Sequence, residues 1–200
     1  MKPAKVFCIG GHKTGTTSMG EALAVLGFRV FPEPLWYGDP SLREDFYAGR
    51  YSRLIDLIDE YDTFEDSPFN HSDFYTWLHR NYSDAKFILT VRDTANVIGS
   101  YRRFFAKLDE LVLEQDRVLK AYVKFFFQHE YGQAEPLDDE AQLGEIYEAR
   151  NQAVTDFFRD KADQFLILDL EKEPCPWHRI CAFLNEVVPS MKFPHMKRTK

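Results

Sequence analysis

Val6-Phe7-Cys8-Ile9-Gly10-Gly11-His12-Lys13-Thr14-Gly15-Thr16-Thr17-Ser18 decides the reading of the chain. Four apolar residues without alternation describe a short strand buried on both faces, and the glycines that follow bend the backbone into a loop. A helix comes next, because Met19, Ala22, Leu23 and Leu26 recur at i, i+3, i+4 and i+7, with Gly27 placed to end it. Strand, glycine loop and helix in that order make an anion site: loop N–H groups converge, and the helix dipole adds partial positive charge. The spacing from Gly10 to Gly15-Thr16-Thr17 has the length of a Walker A loop. The residue after its second glycine is Thr16, however, where a nucleotide-hydrolysing loop carries lysine. The lysine lies inside the loop, as Lys13.

Two further strand signals follow the same grammar. Phe87 to Val91 ends at Arg92-Asp93-Thr94, after which Val97, Ile98, Tyr101 and Phe105 mark one face of a helix. Phe165 to Leu168 precedes Trp177, Ile180, Cys181 and Leu184 at helical spacing. Apolar runs covered on both faces predict a three-layer α/β fold, a mostly parallel sheet flanked by helices, with residues 1–200 as a single domain. Between these signals the reading is coarser. Residues 28–45, interrupted by Pro32, Pro34, Gly38 and Pro40, read as irregular connection. A short helix is predicted from Phe74 through Leu78 with Ser72 as its cap. Residues 104–160 read as helical, broken near Gly132 and Pro136.

A net charge of −7 excludes a general nucleic-acid binder, which would carry a basic face, so any anion site is local. No segment has the length of a membrane span, and the stretch from Val6 is too short for a signal-peptide core. Cys8, Cys175 and Cys181 are an odd set without metal-ligand spacing, which reads as reduced thiols in a cytoplasmic protein. No metal is expected. Asn70-His71-Ser72 and Asn81-Tyr82-Ser83 match glycosylation sequons, which carry no weight in that compartment.

The run His12-Lys13-Thr14-Gly15-Thr16-Thr17-Ser18 resembles the phosphosulfate loop of the sulfotransferase family, whose common form is a lysine followed closely by Gly-Thr-Thr. That family has a P-loop NTPase-like fold and uses 3′-phosphoadenosine 5′-phosphosulfate (PAPS), releasing the product PAP. The resemblance implies Lys13 at the phosphosulfate and its bridging oxygen, with Gly11, His12, Thr14, Gly15, Thr16, Thr17 and Ser18 around the phosphate. It also implies an arginine at a later strand end and a serine eight positions on, holding the 3′-phosphate; Arg92 and Ser100 have that spacing. An arginine at a strand end is, taken alone, more often a surface ion pair. For a base, the resemblance points to Phe64-Glu65-Asp66-Ser67-Pro68, where aligned prolines put Asp66 in the place of a catalytic histidine, with Glu65 beside it and His71 close behind. The bland reading is that Asp66 and Ser67 cap a helix. Phe165 to Glu171, Trp177 to Leu184 and Phe193-Pro194-His195 resemble the family's late strand and C-terminal helix.

The rival reading is a Mg-dependent nucleotide kinase or NTPase, because Leu166-Ile167-Leu168-Asp169 looks like a Walker B strand. A non-catalytic nucleotide-binding module is the third. Phe126 fits an apolar face with Val118, Leu119, Tyr122 and Val123, whereas Phe125 and Phe127 are candidates to line an acceptor pocket, close a lid or pack a homodimer. His79 and His129 are lone histidines. An acidic chain favours a small-molecule, carbohydrate or lipid acceptor over a heavily sulfated polymer.

Overall fold

The computed structural model describes residues 5–110 and 114–194. His195 lies outside them. Along the chain run β1 (Val6–Cys8), α1 (Thr16–Val25), α2 (Pro34–Tyr37), α3 (Pro40–Tyr47), α4 (Ser52–Glu60), β2 (Thr63–Glu65) and α5 (Phe74–Asn81). They are followed by β3 (Lys86–Val91), α6 (Thr94–Glu110), α7 (Glu114–Tyr131), α8 (Glu140–Phe157), β4 (Phe165–Asp169) and α9 (Pro176–Leu184).

The strands form one sheet in the order β2-β1-β3-β4, with every neighbouring pair parallel. Parallel neighbours need crossovers, which the helices supply, and side chains that alternate along a strand feed two different cores. Val6, Cys8, Ile88, Leu166 and Leu168 point to one face and pack under α1 and α9 through Met19, Leu23, Trp177 and Ile180. Phe7, Ile9, Phe64, Phe87 and Leu89 point to the other and meet the aromatic side of α3, α5, α7 and α8. Phe7 lies at the centre of that second core, its ring stacked 4.8 Å from Phe64 and 5.5 Å from Phe87. The three-layer α/β reading is thus realised, and because β1 and β3 are adjacent, the loops that leave their C-terminal ends open side by side. Gly10 lets them do so. A Cβ there would stand 2.0 Å from Thr90 Oγ1 and 2.5 Å from the Thr90 carbonyl oxygen.

Three local expectations fail, each for a visible reason. Residues 28–45 are not irregular: Pro34 and Pro40 sit in the first turn of α2 and α3, where a missing N–H costs nothing, and Asp39 caps α3 through the Leu42 N–H at 3.0 Å. Ser72 does not cap α5. Its N–H and hydroxyl both donate to Glu130 Oε2 at 2.8 Å, and Asp73 occupies the N-cap position. Val118 is exposed, so the apolar face of α7 begins at Leu119.

Candidate active site

The loop after β1 reaches α1 through two residues in left-handed backbone, Lys13 at φ 69° and Gly15 at φ 100°. Gly15 is the N-cap, no side chain caps the helix, and a Cβ there would meet Leu170 Cδ1 at 2.7 Å. The helical ladder of α1 begins with the Met19 N–H on Gly15 O at 3.1 Å. The N–H groups of Thr16, Thr17 and Ser18 therefore lie outside that ladder, at the positive end of the dipole. Thr14 turns the other way. Its hydroxyl donates to Gly11 O at 2.6 Å and meets Thr90 Oγ1 at 2.7 Å, tying the loop to β3.

A cleft of about 500 Å³ opens over this loop. It is lined by His12, Lys13, Gly15, Thr16, Thr17 and Ser18 from the loop and first turn, by Arg92 and Ser100 from the end of β3 and from α6, and by Asp66 after β2. Most of the residues singled out from sequence thus meet around one space. Gly11 packs against the Tyr147 ring, and Glu65, Thr14 and His71 are buried away from the lining. The Lys13 ammonium rests on the face of Phe104, 3.7 Å from the ring centroid.

Arg92 is held from three sides. Its Nη1 donates to Lys13 O at 3.1 Å, its Nη2 pairs with Glu171 Oε1 at 2.5 Å, and the Tyr147 hydroxyl bonds its carbonyl at 2.9 Å. Asn96 fixes the other Glu171 oxygen at 3.0 Å. Arg92 Nε is buried with no hydrogen-bond partner. A guanidinium with one orphaned donor at the edge of a cleft is set up to receive a further acceptor.

Asp66, at φ 63°, closes the opposite end. No helix starts after it, so the capping reading fails. Its Oδ1 accepts from the Ser67 N–H at 3.0 Å and pairs with His12 Nε2, while its Oδ2 faces the Thr16 hydroxyl at 3.4 Å. Burial pushes the Asp66 carboxyl up, but His12, then Lys13 and the Ser67 N–H, outweigh it and bring it down to about 2. The His12 Nδ1 faces the Asn70 amide at 3.2 Å, and Phe126 meets the His12 ring edge-on at 4.5 Å. Behind Asp66, Ser67 Oγ touches His71 Nε2 at 2.9 Å and the Tyr122 hydroxyl at 2.6 Å.

The sequence reading missed Glu33 and Tyr37 on α2 and Tyr122 on α7, all of which line the cleft. The Tyr37 hydroxyl donates to Glu33 Oε2 at 2.6 Å. Tyr122 sat in the apolar stripe of α7 and carried no separate signal. Of the phenylalanine triple, Phe126 and Phe127 are both buried and line the cleft, so Phe127 joins the core with Tyr101 and Phe105. Phe125 packs on Tyr47 and His129. Asp169, the Walker B candidate, spends its Oδ1 on the Glu171 and Lys172 N–H groups and its Oδ2 on Lys172 Nζ, away from the cleft. Against the expectation of no metal-binding constellation, Glu33, Glu65 and Asp66 bring carboxylate oxygens within 4.8 Å of one another.

A parallel α/β sheet whose first strand runs into a glycine loop with an internal lysine, faced by an arginine at the end of the neighbouring strand, defines a P-loop-like α/β fold. The family model described as "Sulfotransferase domain" matches residues 5–200, and the chain belongs to that family. Comparison with curated proteins returns no match.

Proposed function

We propose that this chain is a PAPS-dependent sulfotransferase that moves a sulfuryl group to a hydroxyl or amine of a small-molecule, carbohydrate or lipid acceptor in the cytoplasm. The observation that carries the reading is the orphaned Nε of Arg92, buried at the rim of the same cleft that Lys13 and the first turn of α1 line. A phosphate oxygen is the acceptor that this donor lacks, and Ser100, on the same cleft wall, offers a hydroxyl to the same group. The residues present therefore fit a nucleotide with two separate phosphate groups: one on the loop, one on Arg92 and Ser100.

The donor, when bound, supplies a sulfuryl group on an anionic phosphate leaving group. The chain's own work is positional and electrostatic. The N–H groups of Thr16, Thr17 and Ser18 and the Lys13 ammonium face the oxygens on which negative charge grows as the bond breaks. Asp66 offers Oδ2 to the acceptor's O–H or N–H, fixing the attack direction and stabilising positive charge on the attacking atom. His12, Lys13 and the Ser67 N–H hold the carboxyl below its usual range against burial, which keeps Asp66 charged for that role.

Thermal unfolding with PAP, ATP and ADP, each with and without magnesium, tests the donor. At a hundred times its dissociation constant a ligand adds about 2.7 kcal/mol, which for a chain of this size raises Tm by about 5–10 °C. PAP without metal is expected to give that shift. A shift with magnesium and ATP but none with PAP would move the carboxylates Glu33, Glu65 and Asp66 into a metal-holding role and favour the kinase reading.

A further inference from the structure

Asp66 Oδ1 is already shared by the Ser67 N–H and His12 Nε2, and the hydrogen bonds behind it lead to a second, buried base. Glu130 is an acceptor only: burial raises its carboxyl, but the His71 charge where present, the two Ser72 donors and the Tyr47 hydroxyl outweigh that and hold it below the usual range. The Tyr47 hydroxyl gives its proton to Glu130 Oε1 at 3.0 Å, so His71 Nδ1, 3.1 Å from the Tyr47 oxygen, must be the donor to that oxygen. A neutral His71 with its proton on Nδ1 has a bare Nε2. Ser67, 2.9 Å away, then donates its hydroxyl proton to that nitrogen. The Ser67 oxygen in turn accepts from the Tyr122 hydroxyl at 2.6 Å and faces His12 Nε2 at 3.1 Å. Trp36 Nε1 donates to the Tyr122 oxygen at 3.2 Å, and Tyr122 is one of the residues that line the cleft. The hydrogen bonds thus run without a break from Tyr122, which lines the cleft, to Glu130. They touch the donor-binding loop at His12, through the Ser67 hydroxyl.

We propose that Tyr122, Ser67 and His71 form a proton relay in which His71, buried and out of reach of the acceptor, is the terminal base. As the acceptor oxygen bonds to sulfur and the sulfur–phosphate oxygen bond breaks toward the nucleotide, the acceptor's proton passes to the Tyr122 oxygen. The Tyr122 proton passes to Ser67, and the Ser67 proton to His71 Nε2, so both hydroxyls end the step as they began. The resulting imidazolium keeps both protons, its Nδ1 3.4 Å from Glu130 Oε1, whose carboxylate balances the new charge. His71 is suited to this. Burial, first, and the charges of His12 and Arg150 drive its ring down to about 4 against the pull of Glu130 and Asp66, so it is the free base at neutral pH. Phe126, Trp36, Phe46 and Tyr47 complete the wall around it. This inference rests on the sulfotransferase reading, and its tests separate the two.

The first test needs no acceptor. Nitrogen-15 NMR of the histidine rings, with His71 assigned by His71→Gln, is expected to show a neutral ring protonated on Nδ1 at pH 7, whose Nε2 signal moves in Ser67→Ala and in Tyr122→Phe. A ring protonated on Nε2, or charged at pH 7, would overturn the relay. The second uses water as the probe acceptor, read as sulfate released from PAPS. His71→Gln keeps an oxygen to accept from Ser67 but cannot pass a proton, and Tyr122→Phe removes the entry. Each is expected to lower kcat about a hundredfold, with Kd for PAP unchanged and the acid limb of the pH profile gone. The double variant is expected to lose no more than either single one. Sulfate release at the wild-type rate and pH profile in Tyr122→Phe would overturn the relay while leaving the donor reading intact. No sulfate release and no PAP shift in the wild type would overturn both.

Discussion

The two ends of the cleft are built by different means. Around Lys13 and the N-terminus of α1 the functional groups are backbone N–H groups and cations supplied by one loop and the end of one neighbouring strand, and they are pinned by close backbone approach, as at Gly10 against Thr90. Around Asp66 they are side chains from β1's loop, α3, α7 and the segment after β2, pinned by one another through hydrogen bonds at Ser67 and His71. A backbone-built anion site tolerates side-chain change and is sensitive to added volume. A side-chain network is sensitive to the loss of any proton donor and to pH.

The largest effect expected from breaking this comparison is at the junction of the two ends. Asp66→Asn keeps the shape but removes the charge that pairs with His12 and that the proposed mechanism sets against the attacking atom, and turnover should fall about a hundredfold to a thousandfold. Binding of PAP, read by calorimetry, should stay within a few fold. Equal loss of both would mean that Asp66 builds the donor end instead.

The pH response comes next. His71 is driven from its usual 6.5 to about 4 in the folded chain, so between those values the unfolded chain binds a proton that the folded one refuses. Stability is therefore complete above pH 6.5 and is lost as pH falls toward 4, by about 3 kcal/mol. His71→Gln should flatten that segment in denaturant unfolding at pH 7 and 4.5. The depressed carboxyl of Asp66 acts later, between its usual 3.8 and about 2, and so does not mask the His71 slope.

Gly10→Ala probes the donor end. The new Cβ meets the Thr90 backbone, which cannot rotate away, so a loss of about 1–3 kcal/mol is expected together with weaker PAP binding. Weakened stability with unchanged PAP affinity would uncouple the loop from the β1–β3 contact. The smallest effect belongs to Glu171, whose carboxylate occupies the Arg92 fork that the 3′-phosphate would share. Glu171→Gln should tighten PAP a few fold by removing a like charge.

The same contrast explains what could be read from the sequence. The loop end is local in the chain: strand, loop, lysine and helix lie within residues 6–26, where spacing is informative, whereas Arg92, after β3, and Ser100, on α6, were marked only by the resemblance. The parallel sheet was legible because β1, β3 and β4 are uninterrupted apolar runs. β2 was not, since Thr63–Glu65 is three residues with a charged end, and only the resemblance marked it. The acceptor end joins Glu33, Tyr47, Ser67, His71, Tyr122 and Glu130, which only the packing of α2, α3 and α7 brings together. Tyr122 read as a core aromatic and Tyr47 carried no signal, yet the hydroxyls of both reach buried partners, Ser67 and Glu130. His71, named from sequence as an alternative base close behind Asp66, lies behind Ser67, buried at 2% exposure.

Isothermal titration of PAP and of adenosine 5′-phosphosulfate against the wild type and Arg92→Ala, without metal, tests the donor reading most directly. The orphaned Arg92 Nε predicts that the variant loses about tenfold to a hundredfold in affinity for PAP and almost none for adenosine 5′-phosphosulfate, which lacks the 3′-phosphate. Equal weakening of the two, or no binding of PAP by the wild type, would contradict it.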